Sequence, residues 1–375
     1  MTALIRRLTP LLLAAACAAP LPAADMYVYF GTHRSGPGLG LSVAHFDTAT
    51  GALTTPKFLL EAQEPAFFVI DRAGRHLYTC NSGDPGQISV YAIDPATARL
   101  TLLNQAPSGG RDPSYVCLDQ TGRFVLVANY EGGNIAAFAL TPDGRMGEQT
   151  ALVQHLGHSV NPKRQAHAYA HSIIVDPTNR FALTADLGLD RLFVYRFDAT
   201  TGELTPNDPP FASVKPGSGP RHVTFHPNGR WVYLVNEMGC TVTAFNWDSA
   251  TGALAEFQTI TTLPADFTGT STCAEILVHP NGRFLYASNR GHDSIAIFAI
   301  DAATGRLTPI EYAPTAGKSP RNFAFDPTEQ WIIVTNHNSD NAVVFRVDAA
   351  TGRLTQTGAP VPVPFPFCER FLPVP

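Results

Sequence analysis

Four ionisable residues far apart in the chain, His171, Arg221, Glu237 and Arg290, are of the types that together can open an activated ester. A histidine and a carboxylate can move protons at neutral pH, while two guanidiniums can stabilise an oxyanion or hold a substrate carboxylate or phosphate. That inventory suits hydrolysis without a metal, and no cofactor is expected. Arg321, His222, Asn289 and Tyr130 stand at neighbouring or matching positions and are read as substrate-binding, with Lys163, Arg164 and Lys215 adding basic charge near the same face. His155 with His158, and His167 with His171, have spacings that metal sites use, but on a Pro-containing loop they lack a fixed helical face. Neither a Gly-x-Ser-x-Gly elbow nor a phosphate-binding glycine loop is present. The bland alternative is an Arg–Glu pair that only ties neighbouring structural units together.

Nothing in the linear order brings these residues together, so the fold must. One pattern recurs: an opening run such as PRHVTF, a His-Pro-Asn-Gly-Arg turn, the runs WVYLVNE and TVTAFNWD, and a Ser-Ala-Thr-Gly-Ala-Leu turn into a fourth run. Copies begin near Ala66, Ser114, His171, Pro220, Ala274 and Pro320. The arginine after the first turn recurs at Arg75, Arg123, Arg180, Arg230 and Arg283, with Gln330 in the last copy, at intervals of 47 to 57 residues. A period near 50 marks a repeat architecture, and runs rich in Val, Ile, Phe and Tyr between such turns read as β-strands. In SIAIFAI, residues 294–300, both alternating faces are apolar, so each sheet must be covered on both sides. Radial stacking of blades achieves that.

The expected fold is therefore all-β: a seven-bladed β-propeller of four-stranded antiparallel blades. The opening fragment, 27–32 and 41–47, lacks an innermost strand, and Cys368-Glu369-Arg370-Phe371-Leu372 supplies it, so the ring is closed by the N- and C-terminal strands. In such a blade the loop entering the innermost strand and the loop joining the second and third strands share one face, where a rigid scaffold can present functional residues. His171, Arg221, Glu237 and Arg290 fall on those loops in three successive blades and are expected to converge at the channel mouth. The insert between Thr150 and Ala170 reads as an enlarged loop. Arg230 and Arg283 read as turn braces, and His226 and His279 as satisfied turn histidines.

The chain has 375 residues, 45% of them hydrophobic and 15% charged, against about 25% charged in typical domains, which favours a packed core over disorder. A net charge of −5 without a basic run argues against nucleic acid or an anionic membrane surface as partner. Arg6-Arg7, an apolar run at 11–19 and a small-residue exit before Asp25 have the anatomy of a secretory signal peptide over residues 1–24, cleaved near Ala23 or Ala24. The apolar run is too short for a membrane span. The mature chain, 25–375, reads as one domain, a monomer, periplasmic or secreted; lipoprotein anchoring at Cys17 is the rival, disfavoured by Ala14. Cleavage takes the charge to −7 and leaves Cys80, Cys117, Cys240, Cys273 and Cys368, an odd number without zinc-site spacing. Cys80 and Cys117, inside apolar runs, read as buried thiols.

HSIIVDPTNRF with ADLGLDRLFVYRFD, GPRHVTFHPNGR with YLVNE, and LVHPNGRFLYASNRGHDSIAIF together resemble the seven-bladed β-propeller lactonases, the 6-phosphogluconolactonase family that also includes carboxy-cis,cis-muconate cyclase. The likeness runs from Tyr27 to Leu372. It implies that His171, Arg221, Glu237 and Arg290 are catalytic and that the partner is a small-molecule lactone, a sugar 1,5-lactone opened to its aldonic acid. On that basis His171 or Glu237 activates water, the other protonates the ring oxygen, and Arg221 and Arg290 stabilise the oxyanion. A leader sets an unphosphorylated gluconolactone beside the 6-phosphate ester as substrate. The alternatives are an exported, non-catalytic binding or scaffold propeller and a muconate-type cyclase.

Overall fold

Short runs of Val, Ile, Phe and Tyr broken by Pro-Asn-Gly and Thr-Gly turns fold as antiparallel meanders, because each turn reverses the chain before a long strand can grow. The computed structural model describes residues 25–374 and contains seven such sheets, each pairing in the order of the chain. The leader read at residues 1–24 lies outside the described residues. Blade 1 is built from Asp25–Thr32, Gly40–Asp47, Ala52–Leu53 and Lys57–Glu61, with Pro366–Pro373 as its innermost strand. Pairing of Tyr27 with Leu372 and Tyr29 with Arg370 closes the ring with both ends of the chain, as the Cys-Glu-Arg-Phe-Leu segment predicts. Blades 2 to 7 open at Pro65, Pro113, Ala170, Pro220, Thr272 and Pro320. Among the described residues the helical content is one 3-10 turn, His337–Ser339, and no helix is long and apolar enough to cross a membrane.

The apolar faces meet between sheets, not within one. Leu183 and Val194 of blade 4, for example, pack with Val223, Val232 and Phe245 of blade 5 in a single cluster. A polar stitch recurs at several seams. Tyr78, Tyr233 and Tyr286 each donate a hydroxyl hydrogen bond to the outer turn glycine of the following blade, at Gly144 O (2.9 Å), Gly305 O (2.8 Å) and Gly352 O (2.7 Å). The turn glycine is needed twice over. Gly305 has φ +73°, and a Cβ there would lie 2.5 Å from Trp231 Cδ2 of the preceding blade. The same clash recurs between Gly352 and Phe284 and between Gly51 and Trp331. Three of the recurrent arginines are braces, Arg283 as expected: Arg123, Arg180 and Arg283 reach turn carbonyls of the next blade at Ala199, Ser249, and Ala349 with Ala350, whereas Arg230 lies over the ring of its neighbour Trp231. His226 and His279 hydrogen-bond through Nε2 to Gly282 O and Glu329 O, also one blade on.

These stitches predict graded losses. Tyr233→Phe should cost about 1 kcal/mol and lower Tm by a few degrees. Gly305→Ala, which combines a left-handed φ with displacement of an indole, should cost about 2–3 kcal/mol. Thermal melts of the two variants check the order, and equal Tm values for wild type and Gly305→Ala would contradict it.

Candidate active site

The innermost strands begin with a skipped residue. Pairing steps from Ala170 to Ser172, from Pro220 to His222 and from Pro320 to Asn322, leaving His171, Arg221 and Arg321 on bulges. Ala66, Ser114 and Phe367 occupy the same position in blades 2, 3 and 1. A bulge leaves its residue outside the ladder and re-aims the side chain, here toward the axis. Except for Arg221, all six line one cavity of about 440 Å³. The loops joining second and third strands add Tyr130, Glu237 and Arg290, and the 155–169 insert adds Arg164, so that every blade contributes to the wall.

At the centre is the Glu237 carboxylate. Arg164 Nη2 donates to Oε1 at 2.7 Å and Arg221 Nε to Oε2 at 3.1 Å, while Arg290 Nη2 forms an ion pair with Oε2 at 3.0 Å. His171 Nε2 lies 3.9 Å from Oε2. Burial alone would raise the carboxyl pKa, but Arg290 and Arg221, then His171 and Arg164, hold it well below the usual range. The carboxylate stays ionised and is a weak proton acceptor. His171 is also buried, and burial, with Arg221 and His222, keeps its pKa well below 6.5. It is therefore a neutral imidazole at pH 7, its Nδ1 without a hydrogen-bond partner among the described residues. Its ring meets Tyr130 at 5.1 Å and His222 at 5.3 Å between centroids, both edge-on.

Arg221 and His222 lie beneath the cavity, not on its wall. Arg221, 2% exposed, donates from Nη1 to Ala274 O (2.7 Å) and to His222 Nε2 (3.2 Å). His222 passes the chain on through Nδ1 to Glu275 Oε1 at 2.9 Å. Asn322 Nδ2 donates to the other Glu275 oxygen, and Arg370 Nη1 to Asn322 Oδ1 at 3.1 Å. This network fills the axis under the site. The positions expected of Arg221, as oxyanion donor, and of His222, as substrate contact, are corrected accordingly. Arg221 is turned back onto Glu237 and the plug, and His222 belongs to the plug. Asn289 is corrected too: its amide is consumed by Thr262 O and Thr262 Oγ1 at the end of blade 5 and by Ser294 Oγ of blade 6, because alternation along a strand turns it away from its neighbour Arg290.

Tyr130 and Arg321 do line the cavity, whereas Lys163 and Lys215 are exposed and do not. Arg164 was legible only as surplus basic charge, and its signal was the longest repeat interval, where the insert sits. The base of that insert is pinned. His155, expected as no more than a weak metal ligand, bonds Asp186 Oδ2 through Nδ1 (2.6 Å) and the Tyr195 hydroxyl through Nε2 (2.8 Å), both buried. Ser159 Oγ donates to Asp190 Oδ2 at 2.6 Å and Gln165 Nε2 to Leu187 O at 2.9 Å. Among the described residues no three His, Cys, Asp or Glu side chains cluster as a metal site would require.

Arg321 differs from the other guanidiniums. It stacks 4.0 Å over the Phe367 ring, its Nε is buried without a partner, and no ion pair holds it among the described residues. Burial and the nearby Arg321, His337 and Arg34 push the His33 imidazole down to about 4. Across the ring, Glu64, Asp112 and Glu131 of blades 2 and 3 form an acidic arc on the same cavity. A cationic wall facing an acidic one suits a hydroxylated ring bearing a carbonyl: hydroxyls can donate to the acids while negative charge develops at the arginines.

A family model for seven-bladed β-propeller lactonases matches residues 27–371. The chain belongs to this family. The 6-phosphogluconolactonase of Bacillus subtilis is 34% identical over 345 residues, spanning 92% of this chain and 97% of that protein. The structure of the Pseudomonas aeruginosa periplasmic gluconolactonase superposes with a TM-score of 0.88 at 31% identity, over 94% of this chain and all of that one. A Lactobacillus plantarum protein superposes with a TM-score of 0.86 at 32% identity, over 93% and 99% of the two chains. This lactonase is thus a carboxylic-ester hydrolase.

In this lactonase Arg164→Ala should leave the fold intact, since the side chain is 42% exposed. It removes one charge-assisted hydrogen bond from Glu237, so kcat/KM should fall about 10- to 100-fold. Lactone hydrolysis beside a thermal melt checks both, and unchanged kcat/KM would exclude Arg164 from the site.

Proposed function

We propose that this lactonase hydrolyses a sugar 1,5-lactone to its aldonic acid without a metal, as an exported monomer. The observation that carries the reading is the neutral His171 imidazole beside a carboxylate already saturated by guanidiniums. Water held at His171 Nε2 attacks the lactone carbonyl carbon and gives its proton to the imidazole. The oxyanion is received by Arg290 and Arg164, the guanidiniums of the triad that reach the cavity. On collapse the bond to the ring oxygen breaks, and the imidazolium returns its proton to that oxygen. Glu237, 3.9 Å away, stabilises the imidazolium and fixes the arginines without titrating. Arg221 is a positioning residue behind it. A metal cation at Glu237 would have to displace guanidiniums, which supports the metal-free reading.

The leader-like segment and the likeness to the periplasmic gluconolactonase of P. aeruginosa support export and an unphosphorylated gluconolactone. One observation favours the 6-phosphate ester as a second reading: Arg321, on the cavity wall, has no acidic partner among the described residues and can take a dianion.

Titration of released acid with gluconolactone, its 6-phosphate and a carboxymuconate tests the substrate class. His171→Asn should lose at least ~100-fold in kcat/KM, the scale of a general base. Because burial and Arg221 lower the His171 pKa, the base stays unprotonated as pH falls through 6.5. The acid limb of kcat/KM should therefore lie below the ordinary histidine range, and a limb at or above 6.5 would contradict the assignment. Arg321→Gln separates the substrates: it should raise KM about tenfold or more for the phosphorylated lactone and leave gluconolactone nearly unaffected.

A further inference from the structure

Two thiols meet behind the turn that carries Glu237. Cys240, with φ 45°, lies three residues after Glu237 on the turn between Trp231–Asn236 and Thr241–Asp248 of blade 5. Cys273 stands at the start of the innermost strand of blade 6, Thr272–Val278. Both residues are buried, and Cys240 Sγ reaches across the seam to Ser271 O, two residues before Cys273, at 3.1 Å, which brings the two thiols into each other's field. The backbones are already fastened: Cys273 N donates to Glu237 O at 3.0 Å, and Thr262 N donates to Cys240 O at 2.9 Å. The Thr262 hydroxyl touches both residues, 3.1 Å from Cys273 Sγ and 3.1 Å from Cys240 O. The pair adjoins the reaction centre, because Cys273 O accepts Arg290 Nη2 at 2.7 Å.

The two sulfurs are unequal. Cys240 donates to Ser271 O at 3.1 Å, and contact with Cys273, then Ser271 and Arg290, outweighs burial and lowers its pKa. Burial raises Cys273, Cys80, Cys117 and Cys368. Cys240 is therefore the thiol that reaches the nucleophilic state most readily, with a second thiol already against it.

We propose that Cys240 and Cys273 form an intrachain disulfide across the seam between blades 5 and 6 by exchange with a disulfide oxidant. Cys240 Sγ, its proton released to solvent, attacks one sulfur of the oxidant, whose S–S bond breaks and releases one thiol. Cys273 Sγ then attacks Cys240 Sγ, displaces the second thiol and gives up its own proton. The two cysteines lose two electrons and two protons, and the oxidant becomes two thiols. The bond fastens the Glu237 turn to the strand that supports Arg290 and closes a loop of about 33 residues, which stabilises the fold chiefly by restricting the unfolded chain. The Glu237 carboxylate lies on the cavity side of the turn and takes no part in the bond, so turnover is retained. The proposal stands apart from the choice of lactone.

The test is to incubate the reduced full chain with oxidised glutathione, then map peptides without reduction and record melts. The expected result is a mass loss of about 2 Da, a linked Cys240–Cys273 peptide and a Tm gain of about 5 °C that dithiothreitol reverses, with kcat/KM within about twofold. Cys240→Ser should show neither the linked peptide nor the gain, and Cys273→Ser should instead trap one glutathione on Cys240. Unchanged mass in the wild type, a persistent glutathione adduct on its Cys240, or a link to another cysteine would overturn the proposal.

Discussion

The site depends on one desolvated carboxylate. Glu237 is buried, and the free energy of removing its charge from water is offset only because Arg164, Arg221 and Arg290 surround its two oxygens. Each contact couples a different part of the molecule to that charge: the insert through Arg164, the axial plug through Arg221, the neighbouring blade through Arg290. The carboxylate is thus less a reactant than the counter-ion that lets several guanidiniums share a small space. Burial, with Arg221 and His222 beside it, keeps His171 neutral, and a neutral imidazole can accept a proton. The expectation of an Arg–Glu pair that ties blades together and the expectation of an active site describe the same atoms here.

Such a cluster can form only if several blades deliver side chains to a common point with small error. Two devices do this. Bulges at the entrances of the innermost strands turn one residue per blade out of the ladder, and that residue is His171 in blade 4, Arg221 in blade 5 and Arg321 in blade 7. The seams then fix the blades against each other at the outer turns, where a glycine without a Cβ admits the aromatic ring of the preceding blade. Rigidity at the rim comes from polar stitches and apolar packing far from the chemistry. The disulfide inferred between Cys240 and Cys273 would add a covalent stitch of the same kind closer in.

The cavity is polarised because its walls come from opposite sides of the ring. Blades 2 and 3 supply Glu64, Asp112 and Glu131, while blades 6 and 7 supply Arg290 and Arg321. An unpaired guanidinium in a low-dielectric wall is costly unless a ligand completes it, and Arg321 is the group in that condition. On the proposed reading, substrate choice within the lactones turns on what meets Arg321, whereas ring opening turns on Glu237 and His171.

The repeat was legible in the amino-acid sequence because the blades reuse a small set of turn devices: Pro-Asn-Gly-type turns to reverse the chain, a Thr-Gly turn in most blades to admit an aromatic, and in several a Tyr to reach the next turn. Period, strand count, ring closure by Cys368–Leu372 and the loops that carry His171, Arg221, Glu237 and Arg290 followed from local rules that hold before any contact forms. What only the tertiary structure decided was direction and distance. Sequence neighbours on a strand point to opposite sides, so Asn289 beside Arg290 and His222 beside Arg221 went to the blade interior and the plug, and Arg221 itself turned behind Glu237. Arg164 comes from an insert outside the repeat, and the chain order cannot show that its loop is folded back across two blades by His155, Asp186 and Gln165. Protonation states belong to the same class, because they depend on how many charges share a buried volume, and that number exists only once the ring has closed.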